Sequence, residues 1–304
     1  MDWSVFVSSI RRASYGYLPL IFIWGSVSSW VRSTRWRVLL TADKNIPAQN
    51  VFWANMAGYL GNNILPARAG ELIRALYVGQ ENNISTSFAL ATGLIERFMD
   101  LLALILLGSF SLAYAGILSG PLQTAIKVMS VIAIVGIVMI LIASYIGSYL
   151  LKIGVRIPLL KTSAGEKVIR FSEQFLRGIE ALHHPKRVML FILYTSVIWL
   201  MDGIGTIIVA HTLHIDLFLH QGFVLLAGLG FSSAIPSTPG YVGVYQFVAV
   251  FILEPFGISN AKALAFIIFM QITNILIILF WGGIAAIRFS SLTKRIKPAA
   301  GDFK

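Results

Sequence analysis

Apolar residues fill long stretches of this chain, and the polar residues that interrupt them fall in a few places. Tyr15 to Val31 is apolar, carries Trp24 and Trp30, and is just long enough to cross a bilayer; a basic cluster of Arg32, Arg35, Arg37 and Lys44 follows it. Residues 50 to 79 hold two shorter apolar pieces, broken at Pro66 and Gly70. Each is below the roughly 20 residues that a span requires, so the region reads as a hairpin of half-helices. A long helical pattern runs from Ile84 to Ala113, opened by the cap-like Ser85 and Thr86, and Gly120-Pro121 introduces another span to about Leu151. Val188 to about Leu213 is the next span. A second broken region, Phe218 to Phe256, contains Pro236, Pro239, Gly240 and Gly243, and Ile258 to Ile287 is the last span.

Between the spans, residues 152 to 187 form the one sizeable polar region, a basic linker with eight Lys or Arg against Glu166, Glu173 and Glu180. Val168, Ile169, Phe171, Phe175, Leu176, Ile179 and Leu182 recur there at helical spacing. Two readings fit: an amphipathic helix on the membrane surface, or a solvated helix covering the bundle. Residues 1 to 14 read as a short flanking segment without a signal-peptide cleavage site.

Composition fits the pattern. At 57% hydrophobic, 12% charged and a mean hydropathy of +0.80, the chain has more apolar surface than one soluble core of 304 residues uses. The expected class is an all-α polytopic membrane protein, one transmembrane domain over residues 1 to 304. Without cysteines, disulfides and thiolate metal sites are excluded. The net charge of +11 fits cytoplasmic loops and anionic lipid surfaces better than a nucleic-acid partner. His183-His184 and the group His211, His214, Asp216 and His220 sit at span ends with no metal-ligand spacing, so neither a metal nor another cofactor is expected.

The two broken regions echo each other. Gly61 to Pro66, with Gly70 four residues later, matches Gly230 to Pro236, with Gly240 four residues later, and the prolines stand 170 residues apart. The following helices match at an offset of 174, where Asp100 falls on Asn274 and Gly108 on Gly282. Two repeats, about 50–113 and 218–287, follow from this. With Arg32, Arg35, Arg37 and Lys44 inside, the helix 84 to 113 runs outward, whereas the last span runs inward and ends in Arg288, Lys294, Arg295 and Lys297. The repeats are therefore inverted, and their re-entrant hairpins enter from opposite faces, the arrangement of alternating-access transporters. This topology leaves Arg11 and Arg12 outside, a conflict that a further N-terminal span or other bounds for the first helix removes.

The candidate chemistry lies where charge enters apolar sequence. Glu96, Arg97 and Asp100 fall roughly 18 to 24 Å along their helix, at mid-membrane. Each costs roughly 2.5 to 3.5 kcal/mol there unless it faces inward and pairs. Arg97 and Asp100 pair along the helix, while Glu96 repels Asp100 unless a cation intervenes; Arg68 and Arg74 are the natural cations. Either the charges form a buried network that locks the hairpin to the helix, or Arg68, Arg74 or Arg97 holds a phosphate while Glu71 or Glu96 balances or gates it. Asp202 is a further lone acid expected to face the bundle interior, with no partner that the sequence names. Ser232, Ser233, Ser237, Thr238 and Gln246 offer uncharged donors in the second hairpin.

Asn62 to Arg74 (NNILPARAGELIR), Ile95 to Leu101 (IERFMDL) and Ile235 to Gln246 (IPSTPGYVGVYQ) together resemble the lysylphosphatidylglycerol synthase transmembrane-domain family. These flippase-like membrane proteins are related to the N-terminal half of the multiple peptide resistance factor. The resemblance covers about residues 15 to 288. It implies a multi-span bundle, in a bacterial or archaeal cytoplasmic membrane, that moves phospholipids or other lipid-linked anionic compounds between leaflets. The family pattern falls on Asn63, Pro66, Arg68, Gly70, Glu71, Arg74, Glu96, Arg97, Asp100, Pro236, Pro239, Gly240 and Gly243; Gln246 stands where relatives often have Glu. Relatives also usually carry a further N-terminal span. The chain ends 17 residues after Ile287, which leaves no soluble aminoacyl-transferring domain, and lipid synthesis is not expected. The alternatives are a membrane-embedded transferase acting on a lipid phosphate such as a polyprenyl phosphate, with Glu71 or Glu96 as general base, and an accessory subunit that binds a lipid-modifying synthase through the basic linker.

Overall fold

The computed structural model describes residues 2–41, 44–65, 68–116, separate positions between 124 and 149, 162–180, 184–234 and 238–299. Pro66, His183, Pro236, Ser237 and most of the span expected to end at Leu151 lie outside the described residues. The described residues form helices, with no strand among them: α1 (Trp3–Arg11), α2 (Leu18–Leu40), α3 (Ala48–Ile64), α4 (Gly70–Asn82), α5 (Thr86–Tyr114), α6 (Ser163–Glu180), α7 (Pro185–Thr212), α8 (Leu219–Ala234), α9 (Val244–Leu253) and α10 (Asn260–Ala299).

The flanking segment is helical because Asp2 caps it, accepting from the Ser4 and Val5 amides at 2.9 and 3.3 Å. The helix packs against α10. α2 departs from the sequence reading most. It continues past Val31 to Leu40, so Arg32, Arg35 and Arg37 belong to the helix and not to a loop. Its serines do not break it, because Ser29 and Ser33 return their hydroxyls to carbonyls four residues back at 2.8 Å. Arg35 is 1% exposed, so it contributes nothing to a surface charge bias.

α3 and α4 form an antiparallel hairpin, with Gly58 beside Arg74 and Gly61 beside Gly70. A Cβ on Gly61 would lie 2.9 Å from the Gly70 Cα, so the glycines let two backbones meet. α5 starts at its Ser85 cap, whose Oγ accepts from the Phe88 amide at 3.4 Å. α5 packs on α8, where a Gly108 Cβ would lie 2.8 Å from that of Ala227. α10 packs on α3 likewise, with Gly282 against Leu60 at 2.7 Å. α6 lays Phe175, Leu176 and Ile179 on Ile95, Leu39 and Phe191, so this half of the basic linker covers the bundle.

α2 and α7 run antiparallel through the middle. Tyr17 meets His211, Trp24 donates its indole N–H to the Met201 carbonyl at 2.7 Å, and Arg187 donates to the Thr41 carbonyl at 3.4 Å. The last contact marks one end of the molecule. There Lys44 donates to the Asn82 carbonyl at 3.0 Å and Tyr77 stacks on Phe289 at 4.8 Å, which gathers Arg37, Lys44, Arg187 and Arg288. Arg12 lies at the opposite end, its carbonyl 3.1 Å from His214 Nε2. α7 and residues 260–291 of α10 are long and apolar enough by themselves to cross a membrane. α2 and α5 have the length, about 34 and 43 Å at 1.5 Å per residue. Each carries three charges within it; all but Arg37, which bonds Asn45 and the Ile46 carbonyl at the basic end, are met inside the bundle.

Candidate functional site

A cavity of about 440 Å³ opens between α2, the α3–α4 hairpin, α5, α7, α8 and α10. Its α2–α7 wall grades from polar to apolar. Arg32 and Asp202 lie at one level, and Ile21 and Val209 lie two to three turns away. α5 grades the same way, from Asp100 to Leu104, whereas α10 runs parallel to α2 and grades the opposite way, with Thr273 and Asn274 on the Ile21 side of Ile277 and Ile278.

Arg35, buried on α2 where the charge pattern predicts a cytoplasmic cluster, sits between the two acids of α5. Its Nη1 and Nη2 donate to Asp100 at 2.5 and 2.8 Å, and its Nε and Nη2 donate to Glu96 Oε1 at 3.3 and 3.0 Å. This is the intervening cation that Glu96 and Asp100 require, and it comes from α2 instead of the hairpin. Arg74 supplies the other side of Glu96. Its Nη1 donates to Glu96 Oε2 at 2.9 Å and to Asn55 Oδ1 at 3.1 Å, and its Nη2 lies 2.6 Å from Glu71 Oε2. Trp36 stacks under this guanidinium at 4.5 Å. Arg97 pairs mainly with Glu71, at 3.0 Å, and reaches Asp100 only at 3.9 Å.

Asp202 receives the partner that the sequence left unnamed: Arg32, with Ser28 Oγ donating at 3.2 Å. A signal for Arg32 and Arg35 existed. They stand three apart on one helix face, and Asp202, Glu96 and Asp100 together demand more cation than the hairpin holds.

Arg68 stands apart. Its guanidinium donates to the carbonyl and the hydroxyl of Ser233, at the end of α8, and faces the Tyr241 ring at 6.0 Å. The tips of the two hairpins therefore meet. Arg68 and Tyr241 both hold left-handed backbone, at φ of 56° and 59°, which costs of order 1–3 kcal/mol each for non-glycine residues and persists only where surroundings enforce it. Asn63 lies alongside, with its amide on the Tyr59 carbonyl at 2.9 Å and its Oδ1 near Gly240.

In the second tip Gly240 and Gly243 supply φ of 68° and 89° around the turn that includes Pro239. Gly243 N donates to Gln246 Oε1 at 2.6 Å, and Gln271 Nε2 donates to the Gly240 carbonyl at 3.1 Å. Gln246 is thus engaged in capping the turn. The structure brings Asn63, Arg68, Glu71, Arg97 and Asp100 to the cavity wall, while Arg74 and Glu96 lie behind it as the braces of Glu71 and Arg35. Trp199 and Asn62 also line the cavity, and the Trp199 Nε1 and Asn62 Oδ1 are buried without a hydrogen-bond partner.

A family model described as the lysylphosphatidylglycerol synthase TM region matches residues 1–282. Two archaeal proteins named UPF0104 membrane protein are similar. One from Methanocaldococcus jannaschii is 25% identical over 73% of this chain and 91% of its own length. One from Pyrococcus horikoshii is 21% identical over 93% of this chain and 90% of its own length. A protein of Haloferax volcanii named glycosyltransferase AglD is 25% identical over 79% of this chain, and the match takes up 43% of its length. No solved structure matches.

Proposed function

The chain belongs to the lysylphosphatidylglycerol synthase TM region family and is an all-α integral membrane protein, and from that premise and the cavity's chemistry we propose that it translocates lipids without chemical change. The observation that carries this reading is the graded cavity. On α2, α5 and α7 the charged groups suit an anionic headgroup, the apolar turns that follow them suit the start of acyl chains, and about 440 Å³ is within the range of about 300–1,000 Å³ for small-molecule sites. Membrane phospholipids or lipid-linked anions are the substrates. Asn63, Arg68, Glu71, Arg97 and Asp100 face them directly, with Arg74 and Glu96 as braces.

Two inverted copies, longer than 50–113 and 218–287, form the machine in this reading: α1–α5 and α6–α10. Their packing supports it. α5 packs on α8 as α10 packs on α3, α1 packs on α10 as α6 packs on α5, and α2 runs antiparallel to its counterpart α7. Arg32 and Asp202 are 170 residues apart, the spacing of Pro66 and Pro236, and they touch. Equivalent positions touch only at the axis relating two copies, so the ion pair marks a pseudo-twofold axis near the midpoints of α2 and α7. The hairpins then re-enter from opposite faces, and rocking about the axis exposes the cavity to each face in turn. The basic end, with Arg37, Lys44, Arg187 and Arg288, is cytoplasmic in an archaeal or bacterial cytoplasmic membrane.

A transferase reading fits less well. Both oxygens of Glu96 are taken by Arg35 and Arg74, and those of Glu71 by Arg97 and Arg74, which leaves neither free to accept a substrate proton. Service to a lipid-modifying enzyme has one observation in its favour: the relative named glycosyltransferase is matched over only 43% of its length. Reconstitution separates these readings. In liposomes holding headgroup-labelled lipids, the protein should speed leaflet exchange above that of protein-free vesicles, and Glu71→Gln and Arg97→Ala should each slow it by about tenfold or more. Exchange no faster than in protein-free vesicles, or full rates in both variants, would contradict translocation.

A further inference from the structure

Resting on the lipid reading, we infer that Arg68 takes the substrate's phosphate and that this phosphate is a singly charged phosphodiester. Among the described residues around the cavity, five guanidiniums (Arg32, Arg35, Arg68, Arg74 and Arg97) face four carboxylates (Glu71, Glu96, Asp100 and Asp202). Every one of the four carboxylates has an arginine within ion-pairing distance, and Arg68 pairs with none of them. The cluster therefore carries one uncompensated positive charge, and it resides on Arg68.

An unbalanced charge at membrane depth is costly, and one negative charge removes the cost. A second would restore it with opposite sign, so a phosphomonoester or diphosphate fits worse than a diester. The geometry agrees. A guanidinium presents paired donors that match phosphate oxygens, and Arg68 engages one of its nitrogens, Nη2, with the neutral Ser233 carbonyl and hydroxyl, weaker acceptors than a phosphate. Trp199 also lines the cavity, and its indole N–H is buried there without a hydrogen-bond partner.

The same contact gives the phosphate a mechanical effect. Arg68 belongs to the first hairpin and Ser233 to the second, so a phosphate that draws Arg68 away replaces the bond joining the two tips. Headgroup binding thereby loosens the hairpins from each other, and their left-handed tip residues, Arg68 and Tyr241, are where that movement begins.

The test is binding to the full-length protein in dodecyl maltoside, a phosphate-free detergent, followed by tryptophan fluorescence, since Trp24 and Trp199 line the cavity. Phosphatidylmethanol, a monoanionic diester without further headgroup chemistry, should bind about tenfold tighter than phosphatidic acid, and dimethyl phosphate at least tenfold weaker than the lipid. Arg68→Gln should lose about tenfold for phosphatidylmethanol and abolish the discrimination, while Arg68→Lys keeps part of both. Asn274→Arg adds a cation to the wall and should shift preference toward phosphatidic acid, a gain that no folding defect produces.

Undiminished phosphatidylmethanol binding by Arg68→Gln would overturn the assignment of Arg68. Tighter binding of phosphatidic acid by the unaltered protein, or no shift with Asn274→Arg, would overturn the single-charge argument, and equal binding of dimethyl phosphate would overturn a lipid substrate at this site. Binding as expected, without leaflet exchange in liposomes, would sink translocation and leave this inference standing.

Discussion

Replacing Arg35 by methionine should destabilise the protein by about 3–5 kcal/mol, the magnitude for removing one partner of a buried ion network. The guanidinium is 1% exposed and its donors serve both Glu96 and Asp100, four helical positions apart on α5. Without it, Asp100 keeps only the distant Arg97 at 3.9 Å, and Glu96 keeps only Arg74. Two carboxylates on one face then repel across an apolar interior, a far larger loss than the methionine's packing returns. Thermal unfolding in detergent would report the loss. Adding Asp100→Asn to Arg35→Met should recover a large part of it, because it removes the charge that lost most. A melting temperature for Arg35→Met equal to that of the unaltered protein would mean that the network contributes nothing to holding α2 against α5.

The second large effect concerns the pair at the proposed axis. Asp202→Ala leaves Arg32 without its carboxylate and should cost about 1.5–3 kcal/mol, the range for a hydrogen bond to a charged group. Its side chains are each 20% exposed to the cavity, which keeps the cost below that of Arg35. The reversed pair, Arg32→Asp with Asp202→Arg, should recover most of that stability, since the two positions lie at corresponding points of antiparallel partner helices and each reaches across to the other. Each single reversal should destabilise more than Asp202→Ala does, because it sets like charges together. A reversed pair no more stable than the single reversals, in the same unfolding measurement, would argue that α2 and α7 surround these positions differently.

The sequence makes the first hairpin legible because its helix breakers carry unambiguous physics: a proline and a glycine four residues later cannot sit inside one span, and α3 ends and α4 begins around them. Glu96 and Asp100 likewise announce an inward face by cost alone. What misleads is the basic cluster after Val31. Arginines that follow an apolar run look like a cytoplasmic loop, and nothing local says that Arg32 and Arg35 continue the helix to meet acids 170 and 61 to 65 residues away. The demand side holds the better clue, since an acid at mid-span requires a cation that the hairpin alone does not provide. The partner of Arg68 was beyond reach for another reason. It is in part a backbone carbonyl, and a carbonyl has no residue identity to read. The spacing of 170 residues is visible in the prolines, but its recurrence in Arg32 and Asp202 has meaning only once the two helices are seen to touch.

In the proposed translocation, one cavity between inverted halves serves both faces of the membrane. The absence of cysteine from the chain makes that directly measurable. Ser29 lines the cavity, is partly buried and bonds only within its own helix, so Ser29→Cys introduces one thiol at the site with little disturbance. In sealed vesicles, a membrane-impermeant thiol reagent should label Cys at this position when added from either face, and a phosphodiester lipid should change both rates. Labelling from one face alone, under all lipid conditions, would contradict the account.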